Sequence, residues 1–448
     1  MATLDRLREI VRSHRGDTES GGASRPYPPP PSPTAPSVAR DTIDHTRAAL
    51  ELGGAVVEHA EGSVIVVDRE YTAGMRHGHV PIGGIVSTIR NGQDALQLMA
   101  RAWPSFAPRA AGPAPSLLFI DLETTGLFSG AGTQAFLVGC AAIDGDAIRI
   151  RQFLLPGFEH ERAVLNALQS WAADHSAICS YNGRSFDVPL IETRFMFHRV
   201  PCPLDGVPHL DMLHAARRLW RQRPITIGPE ADDASCTLAV LEKHIAGLHR
   251  IGDVPGYEIP SRFFKFVRTG DARPLEAVLE HNRLDLLSLA AVLARAIVLI
   301  THGPSAATSA HEAYGLARIY ERGGAHENAE AALLQAIDFV RRVGSDPELH
   351  AEALRRLAWV RRRGRRPHAA AEAWQELASL PRCAAALRRE AKEALAIHHE
   401  HRSRNLDAAR GHALELLTDP EANAARVRHR LERLERKLAR RSMLLPID

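Results

Sequence analysis

One stretch of the chain, residues 114–300, alternates between strand-like and helix-like segments, and this alternation constrains the fold more than any other feature. An apolar run at 117–120 comes first. Two β-rich runs follow at 135–143 and 147–155, joined by an Asp-Gly-Asp turn. Helix-like segments then alternate with a short apolar strand at 177–181. Three sequential strands followed by alternating helices and strands predict a mixed α/β sheet with flanking helices.

Composition excludes several other classes of protein. Hydrophobic residues make up 45% and charged residues 24% of the 448 residues, which is typical of a globular chain. The five cysteines show no CxxC spacing, which disfavours a zinc knuckle and favours reduced thiols in the cytoplasm. The most apolar run, 284–300, contains Asp285 and Arg295, so we expect no membrane span and no membrane partner.

The rest of the chain divides around the α/β segment. We predict an amphipathic helix at 1–16, a disordered Pro/Gly/Ser linker at 17–40 and a small β-rich region at 41–113 that packs on the α/β domain at 114–300. Residues 308–448 are rich in Ala, Leu, Arg and Glu, and a helical motif recurs at a spacing of about 40 residues. This region is predicted to form an all-α, tetratricopeptide-like solenoid.

Three short motifs in the α/β segment contain acidic residues that could bind a metal ion. Asp121 and Glu123 follow the first apolar run, and alternation along a strand places them on one face, about 6–7 Å apart. Asp187 ends an NGRSFD motif that follows the short apolar strand and opens a helix. His281 and Asp285 stand four residues apart in a helical run, so they share one helix face.

Each acid alone has an ordinary structural explanation, such as a chance DxE triplet, a helix N-cap or a solvated surface pair. Four carboxylates in one domain, however, repel each other unless cations lie between them. Two Mg²⁺ or Mn²⁺ ions about 3.5–4 Å apart would relieve the repulsion and hold the attacking and leaving oxygens of a phosphodiester. We therefore predict Asp121, Glu123, Asp187 and Asp285 as metal ligands. His281 is predicted to orient or deprotonate the attacking water.

Residues 117–298 resemble a DEDD-type 3′–5′ exonuclease domain of ribonuclease H-like fold. DLETTG at 121–126, YNGRSFDVP at 181–189 and HNRLD at 281–285 resemble its three motifs, the second in the form seen in proofreading domains of family B DNA polymerases. The whole chain resembles the YprB-like family, also called mitomycin repair factor B, which adds a small N-terminal region and tetratricopeptide-like helices. His281 departs from the pattern, because it stands at the spacing that the families use for tyrosine.

The resemblance implies a Mg²⁺- or Mn²⁺-dependent 3′–5′ exonuclease that hydrolyses terminal phosphodiesters of DNA by a two-metal mechanism. It further implies a cytoplasmic, nucleoid-associated role in DNA repair. A helicase or another repair protein would be the partner, bound through the N-terminal helix or the helical repeats. The same chemistry on RNA is one alternative. A helical scaffold with a weak or inactive nuclease domain is the other.

By the same resemblance, residues beside the motifs contact the 3′-terminal nucleotide: Leu122, Thr124, Thr125, Tyr181 and Asn182. For Thr124, capping of a turn is an equal alternative. Asp211 stands at a strand-to-helix junction, so it is expected to cap the helix or support the ligands from behind rather than to serve as a fifth ligand.

One motif, RHGHVPIGG at 76–84, has no place in this interpretation. Its two histidines, His77 and His79, could bind metal or phosphate. Isolated histidines in a loop are more often surface polar groups, and that is what we expect here.

Overall fold

The structure is a computed structural model of the chain. The predicted helix at 1–16 and linker at 17–40 lie outside the described residues, which are 44–107, 116–126, 132–220, 236–344 and 346–443. Residues 43–448 form one compact unit.

Nine strands are described in these residues: β1 (Ala55–His59), β2 (Gly62–Tyr71), β3 (Arg76–His77), β4 (Val80–Pro81), β5 (Leu117–Thr124), β6 (Ala135–Asp144), β7 (Ala147–Leu154), β8 (Ala177–Ser180) and β9 (His209–Asp211). Seven of them form one mixed sheet in the order β1-β2-β7-β6-β5-β8-β9. β5, β8 and β9 are parallel, and the other neighbours are antiparallel. The predicted mixed sheet is thereby confirmed.

The described α-helices of the first two thirds of the chain are α1 (His45–Glu51), α2 (Ile82–Asn91), α3 (Gln93–Ala102), α4 (Glu161–Ala172), α5 (Asp187–His198), α6 (Met212–Leu219), α7 (Leu238–Ala246), α8 (Ile259–Thr269) and α9 (Arg273–His302). Those that follow are α10 (Ala310–Arg322), α11 (His326–Val343), α12 (Pro347–Arg363), α13 (Pro367–Ser379), α14 (Ala385–His401), α15 (Leu406–Leu417) and α16 (Ala424–Met443). The predicted all-helical character of the C-terminal region is confirmed.

The described residues at 44–107 extend the sheet rather than forming a layer of their own. β2 pairs with β7 from Ile65 opposite Leu154 to Tyr71 opposite Ile148, and β1 pairs with the outer edge of β2. The chain then turns helical in α2 and α3.

Alternate residues of β5 face two hydrophobic cores, one on each side of the sheet. Leu118 and Ile120 belong to the core beneath α4 and α5, whereas Leu117 and Phe119 face the core beneath α2, α6 and the end of α9. α9 contributes to both cores, because its first turns pack in one and its later turns in the other. Its middle therefore lies beside the end of β5.

α9 is a core helix. Within Arg273–Ala306, an 18-residue stretch has the length and composition of a membrane span, with a mean hydropathy of 2.1, but 72% of that stretch is buried inside the protein. The hydrophobic core that contains the later turns of α9 continues into the C-terminal helices as far as Leu395 of α14. At the junction α10 approaches α6 closely, since a Cβ on Gly315 would lie 2.0 Å from the carbonyl oxygen of Arg218.

Candidate active site

Strand β5 ends in the first two predicted ligands. Asp121 and Glu123 are odd-numbered like Leu117 and Phe119, so both carboxylates lie on one face of the strand, as predicted. In the register with β6, Asp121 lies opposite Gly139. The pairing shifts register between Glu123 and the next residue, which ends the regular strand at the acids.

A fully buried amide from α9 fixes Asp121. The Nδ2 group of Asn282 donates to the backbone carbonyl of Asp121 at 3.1 Å and to its Oδ2 at 2.8 Å. Gln152 of β7 donates in turn to Asn282 Oδ1 at 2.9 Å. The arrangement requires glycine at 139, because a Cβ there would lie 2.0 Å from Asn282 Oδ1. The sheet and α9 therefore set the orientation of Asp121 together.

The third predicted ligand, Asp187, is the first residue of α5 and follows a tight turn. Asn182 adopts a left-handed conformation with φ of 64°, which asparagine tolerates better than most residues. Gly183 leaves room for the site, since a Cβ there would lie 2.6 Å from Ser180 Oγ and 2.7 Å from Asp187 Oδ2. The NGRSFD motif thus brings its aspartate back toward the end of β8.

Asp211 holds this turn together. Its carboxylate accepts from the backbone N–H of Asn182 at 2.8 Å and of Arg184 at 3.2 Å, and it caps α6 by accepting from the N–H of Leu213 at 3.1 Å. Burial raises the pKa of Asp187 to about 7, and the negative charge of Asp211 contributes to that rise. Asp211 thus stands behind Asp187 at the cap of α6.

His281 and Asp285 share one face of α9, as predicted from their spacing. His281 Nε2 lies 3.7 Å from Asp285 Oδ2, and its Nδ1 lies 2.6 Å from Asp253 Oδ1. Asp285 Oδ1 accepts a hydrogen bond from Arg250, whose side chain is only 7% exposed. The loop between α7 and α8 therefore contacts the third motif through the carboxylate of Asp253 and the guanidinium of Arg250.

The carboxylates influence one another strongly. Burial raises the pKa of Asp121 well above its usual value, and the charges of Asp285, Glu123 and Asp187 raise it further. Burial, Asp285 and Asp187 raise the pKa of Glu123 in the same way. Burial also raises the pKa of Asp285, but here the positive charge of Arg250 opposes the rise. Four acids from three elements thus form one electrostatic group.

The donor set suits a hard divalent cation. All four predicted ligands are carboxylates, the oxygen ligands that Mg²⁺ and Mn²⁺ prefer, and burial is the largest cause of their raised pKa values, which neighbouring acids increase further. As the side chains stand, no group of three or more His, Cys, Asp or Glu within the described ranges is arranged to hold a metal ion. Asp285 faces Arg250 instead. The residues therefore fit the cations chemically, and cation binding requires the side chains to converge.

The predicted substrate residues are partly engaged elsewhere. Thr124 Oγ1 donates to the carbonyl of Gly126 at 2.7 Å, and Thr125 Oγ1 accepts from the backbone N–H of Gln134 at 3.0 Å. The side chain of Leu122 belongs to the core beneath α4 and α5.

The aromatic residue of the second motif is also engaged. The hydroxyl of Tyr181 donates to the carbonyl of Cys236, which lies just before α7. Asn182 is partly buried at the turn described above. These residues keep their proposed role only through other atoms or after a local change.

Three residues that hold the site were not singled out from the sequence. Asn282 lies inside the HNRLD motif, but nothing in the sequence marked it as buried beneath Asp121. Arg250 and Asp253 lie 35 and 28 residues from their partners Asp285 and His281, in a loop without a recognisable motif. The one available signal was the presence of both charges in a short Gly-containing segment between two helices.

Comparisons with known proteins bear on the fold of this region. Residues 118–297 match the family model of the RNase H superfamily. The chain is 32% identical over 237 residues to the uncharacterized protein YprB of Bacillus subtilis (strain 168), which covers 52% of this chain and 54% of YprB. The match thus spans about half of that relative's length.

Among solved structures, a family B DNA polymerase from the hyperthermophilic archaeon Pyrobaculum calidifontis matches 53% of this chain and 30% of its own. The two are 15% identical with a TM-score of 0.33, too low to support an argument. The comparisons therefore show that residues 118–297 resemble the RNase H superfamily and that about half of the chain is similar to YprB.

Proposed function

We propose that the α/β domain is a metal-dependent 3′–5′ exonuclease that hydrolyses terminal phosphodiesters of DNA. The observation that carries this proposal is that the motifs meet at Asp121, where Asn282 of the HNRLD motif donates to its carboxylate and burial, Asp285, Glu123 and Asp187 raise its pKa. A structural role does not explain why four acids should face each other in this way, because their repulsion destabilises the fold without a cation.

The four carboxylates Asp121, Glu123, Asp187 and Asp285 would hold the cations. When bound, divalent ions in such a site activate water and stabilise the charge that develops on the phosphodiester. Asn282 keeps Asp121 in place through its hydrogen bonds, and Asp211 keeps the turn before Asp187. These hydrogen bonds fix where two of the ligands stand, and a bound cation would draw the side chains together.

His281 supplies a base beside these ligands. Because the carboxylate of Asp253 accepts from Nδ1, the proton of the neutral imidazole resides on Nδ1, and Nε2 is the nitrogen that can accept a proton. Nε2 lies on the Asp285 side of the ring, 3.7 Å from Oδ2. We infer that His281 takes the proton of the attacking water at Nε2 and that Asp253 orients the ring.

A degradation assay tests the proposal. A 5′-labelled single-stranded DNA is incubated with the protein and Mg²⁺ or Mn²⁺, next to Asp285→Asn and to Glu276→Gln, which changes an exposed acid of the same helix. We expect a ladder that shortens from the 3′ end in wild type and Glu276→Gln and disappears in Asp285→Asn. No ladder from wild type on single- or double-stranded ends with either metal would favour a scaffold function instead.

The preference for DNA rests on the sequence resemblance of the second motif to DNA-polymerase proofreading domains. A matched RNA oligonucleotide belongs in the same experiment. Faster degradation of RNA than of DNA would leave the chemistry intact and reverse the substrate assignment.

A further inference from the structure

Among the residues that the structure describes, Arg250 is the cation that faces three acids at this site. Its Nη2 donates to Asp285 Oδ1 and, at 2.7 Å, to Glu242 Oε2, and its Nε lies 3.0 Å from Glu242 Oε1. Its Nη1 lies 3.4 Å from Asp253 Oδ2. Burial alone would lower the pKa of Arg250, but the carboxylates of Glu242 and Asp285 raise it, so the guanidinium stays charged.

Asp285 therefore differs from the other three carboxylates. Arg250 contacts its Oδ1, and His281 Nε2 lies on the side of its Oδ2. Asp121, by contrast, receives its side-chain hydrogen bond from the neutral amide of Asn282. One of the four proposed ligands has a protein cation where a metal ion would bind.

The second partner of Arg250 is firmly fixed. Glu242 is 1% exposed and accepts a hydrogen bond from the hydroxyl of Ser288, which lies one turn after Asp285 on α9. His77 Nε2 lies 2.8 Å from the same hydroxyl, and since that hydroxyl donates to Glu242, His77 must donate from Nε2. A buried chain thus runs from His77 through Ser288, Glu242 and Arg250 to Asp285.

This series of hydrogen bonds gives the RHGHVPIGG motif a structural role. The expectation that its histidines are surface groups is wrong for His77, which is 3% exposed because the segment packs against α7. Gly78 has φ of 58°, and a Cβ there would lie 2.0 Å from the carbonyl oxygen of Ala246. The backbone N–H of His79 donates to that same carbonyl at 2.8 Å. The motif fixes the end of α7, and with it Glu242.

We propose that Arg250 is a resident counter-ion of Asp285 and that a divalent cation binds this carboxylate in competition with it. The inference rests on the proposed metal-dependent function. When a metal ion takes Asp285, Arg250 keeps its hydrogen bonds to Glu242 and its contact with Asp253, so it does not become an unpaired buried charge. Glu242 and Asp285 thus share the guanidinium of Arg250. How strongly Arg250 binds Asp285 rather than Glu242 sets the affinity of Asp285 for the metal ion.

Two substitutions should shift that affinity in opposite directions. Arg250→Gln removes the competing cation, so the dissociation constant for Mn²⁺ should fall about tenfold. Glu242→Gln removes the alternative partner, so Arg250 holds Asp285 more firmly and the dissociation constant should rise by about threefold or more.

The measurement is calorimetric titration of the full chain with Mn²⁺ in the absence of nucleic acid. Arg262→Gln is the matched control, because it removes an arginine of the same domain whose ion-pair partner is Glu258. Its affinity should equal that of wild type. Thermal unfolding of every variant identifies those that fail to fold.

Each outcome decides a different point. A lower dissociation constant in Arg250→Gln together with a higher one in Glu242→Gln supports competition. Weaker binding in both shows that Arg250 only holds the loop, which overturns this inference and leaves the proposed function standing. If Arg250→Gln does not fold, Arg250→Met takes its place, and tighter Mn²⁺ binding supports competition whereas weaker binding overturns it. Absence of Mn²⁺ binding by wild type overturns the proposed function, and this inference with it.

Discussion

The candidate active site and the C-terminal helices treat buried acids in opposite ways. Glu400 of α14 is 0% exposed, and its carboxylate accepts from Arg433 at 2.7 Å and from Lys437 at 2.7 Å. Hydrogen bonds from Arg433 and Lys437 outweigh its burial and lower the pKa of Glu400 to about 2. At the candidate active site, burial and neighbouring acids raise the pKa of Asp187 to about 7.

The helical region pairs its acids by repetition. Glu321, Glu390 and Glu400 each bind an arginine two helices away, at separations of 35, 35 and 33 residues. Each helix pair thereby supplies the counter-ion for its neighbour. The site repeats nothing, and of its four proposed ligands Asp285 has an arginine. Acids that stabilise the helices are neutralised inside the protein, whereas the acids that we propose to bind a cation have raised pKa values.

The largest effect should follow from removing a site acid. Asp121→Asn is expected to reduce nuclease activity about 1,000-fold, because several kcal/mol of transition-state stabilisation depend on the metal ligands. In metal-free buffer at pH 8 the same variant should be more stable than wild type by about 1 kcal/mol, since a repelling charge is lost. Urea unfolding and the DNA assay measure the two effects. A destabilised, inactive variant would remove the contrast between the two regions.

Glu400→Gln should behave in the reverse manner. We expect the free energy of unfolding to fall by about 3 kcal/mol at pH 7, because Arg433 and Lys437 lose their shared partner. Nuclease activity per folded molecule should not change, since α14 lies outside the site. Equal stability of wild type and Glu400→Gln in urea would show that these ion pairs between helices contribute little to the free energy of unfolding.

The sequence predicted the parts of this contrast that depend on local pattern. Alternation in β5 sufficed to place Asp121 and Glu123 on one face, and helical spacing sufficed for His281 and Asp285. The sheet order, in which β2 joins β7, depends on long-range pairing that no local pattern encodes. The roles of these residues in metal binding and catalysis stay predictions.

Counter-ions were the part that sequence could not supply. Arg250 is an ordinary loop arginine until the fold brings it to Asp285, 35 residues away. Asn282 could not be distinguished from a surface amide without knowing that Gly139 lies opposite Asp121. The bulk of a side chain and the register of a sheet decide such contacts, and both require the tertiary structure.

The pH dependence of stability should separate the two regions further. The pKa of Asp187 rises from 3.8 to about 7 on folding, so its favourable contribution is complete below pH 4 and is lost as pH rises toward 7. In EDTA we expect wild type to lose about 2 kcal/mol between pH 5 and pH 8 relative to Asp187→Asn. Glu400, with its lowered pKa, contributes equally at both pH values. Parallel urea-unfolding profiles for the two proteins would contradict the raised pKa.

The smallest effect tests whether burial, rather than pairing as such, underlies the comparison. Asp338 and Arg342 form an ion pair on α11 at 2.7 Å, with side chains 56% and 58% exposed. Water solvates both charges of an exposed ion pair, so Asp338→Asn should change the free energy of unfolding by less than about 0.5 kcal/mol. Urea unfolding beside Glu400→Gln measures the difference. A loss of stability as large as that of Glu400→Gln would mean that the ion pairs of the helices stabilise through their geometry. Burial would then no longer distinguish the helices from the site.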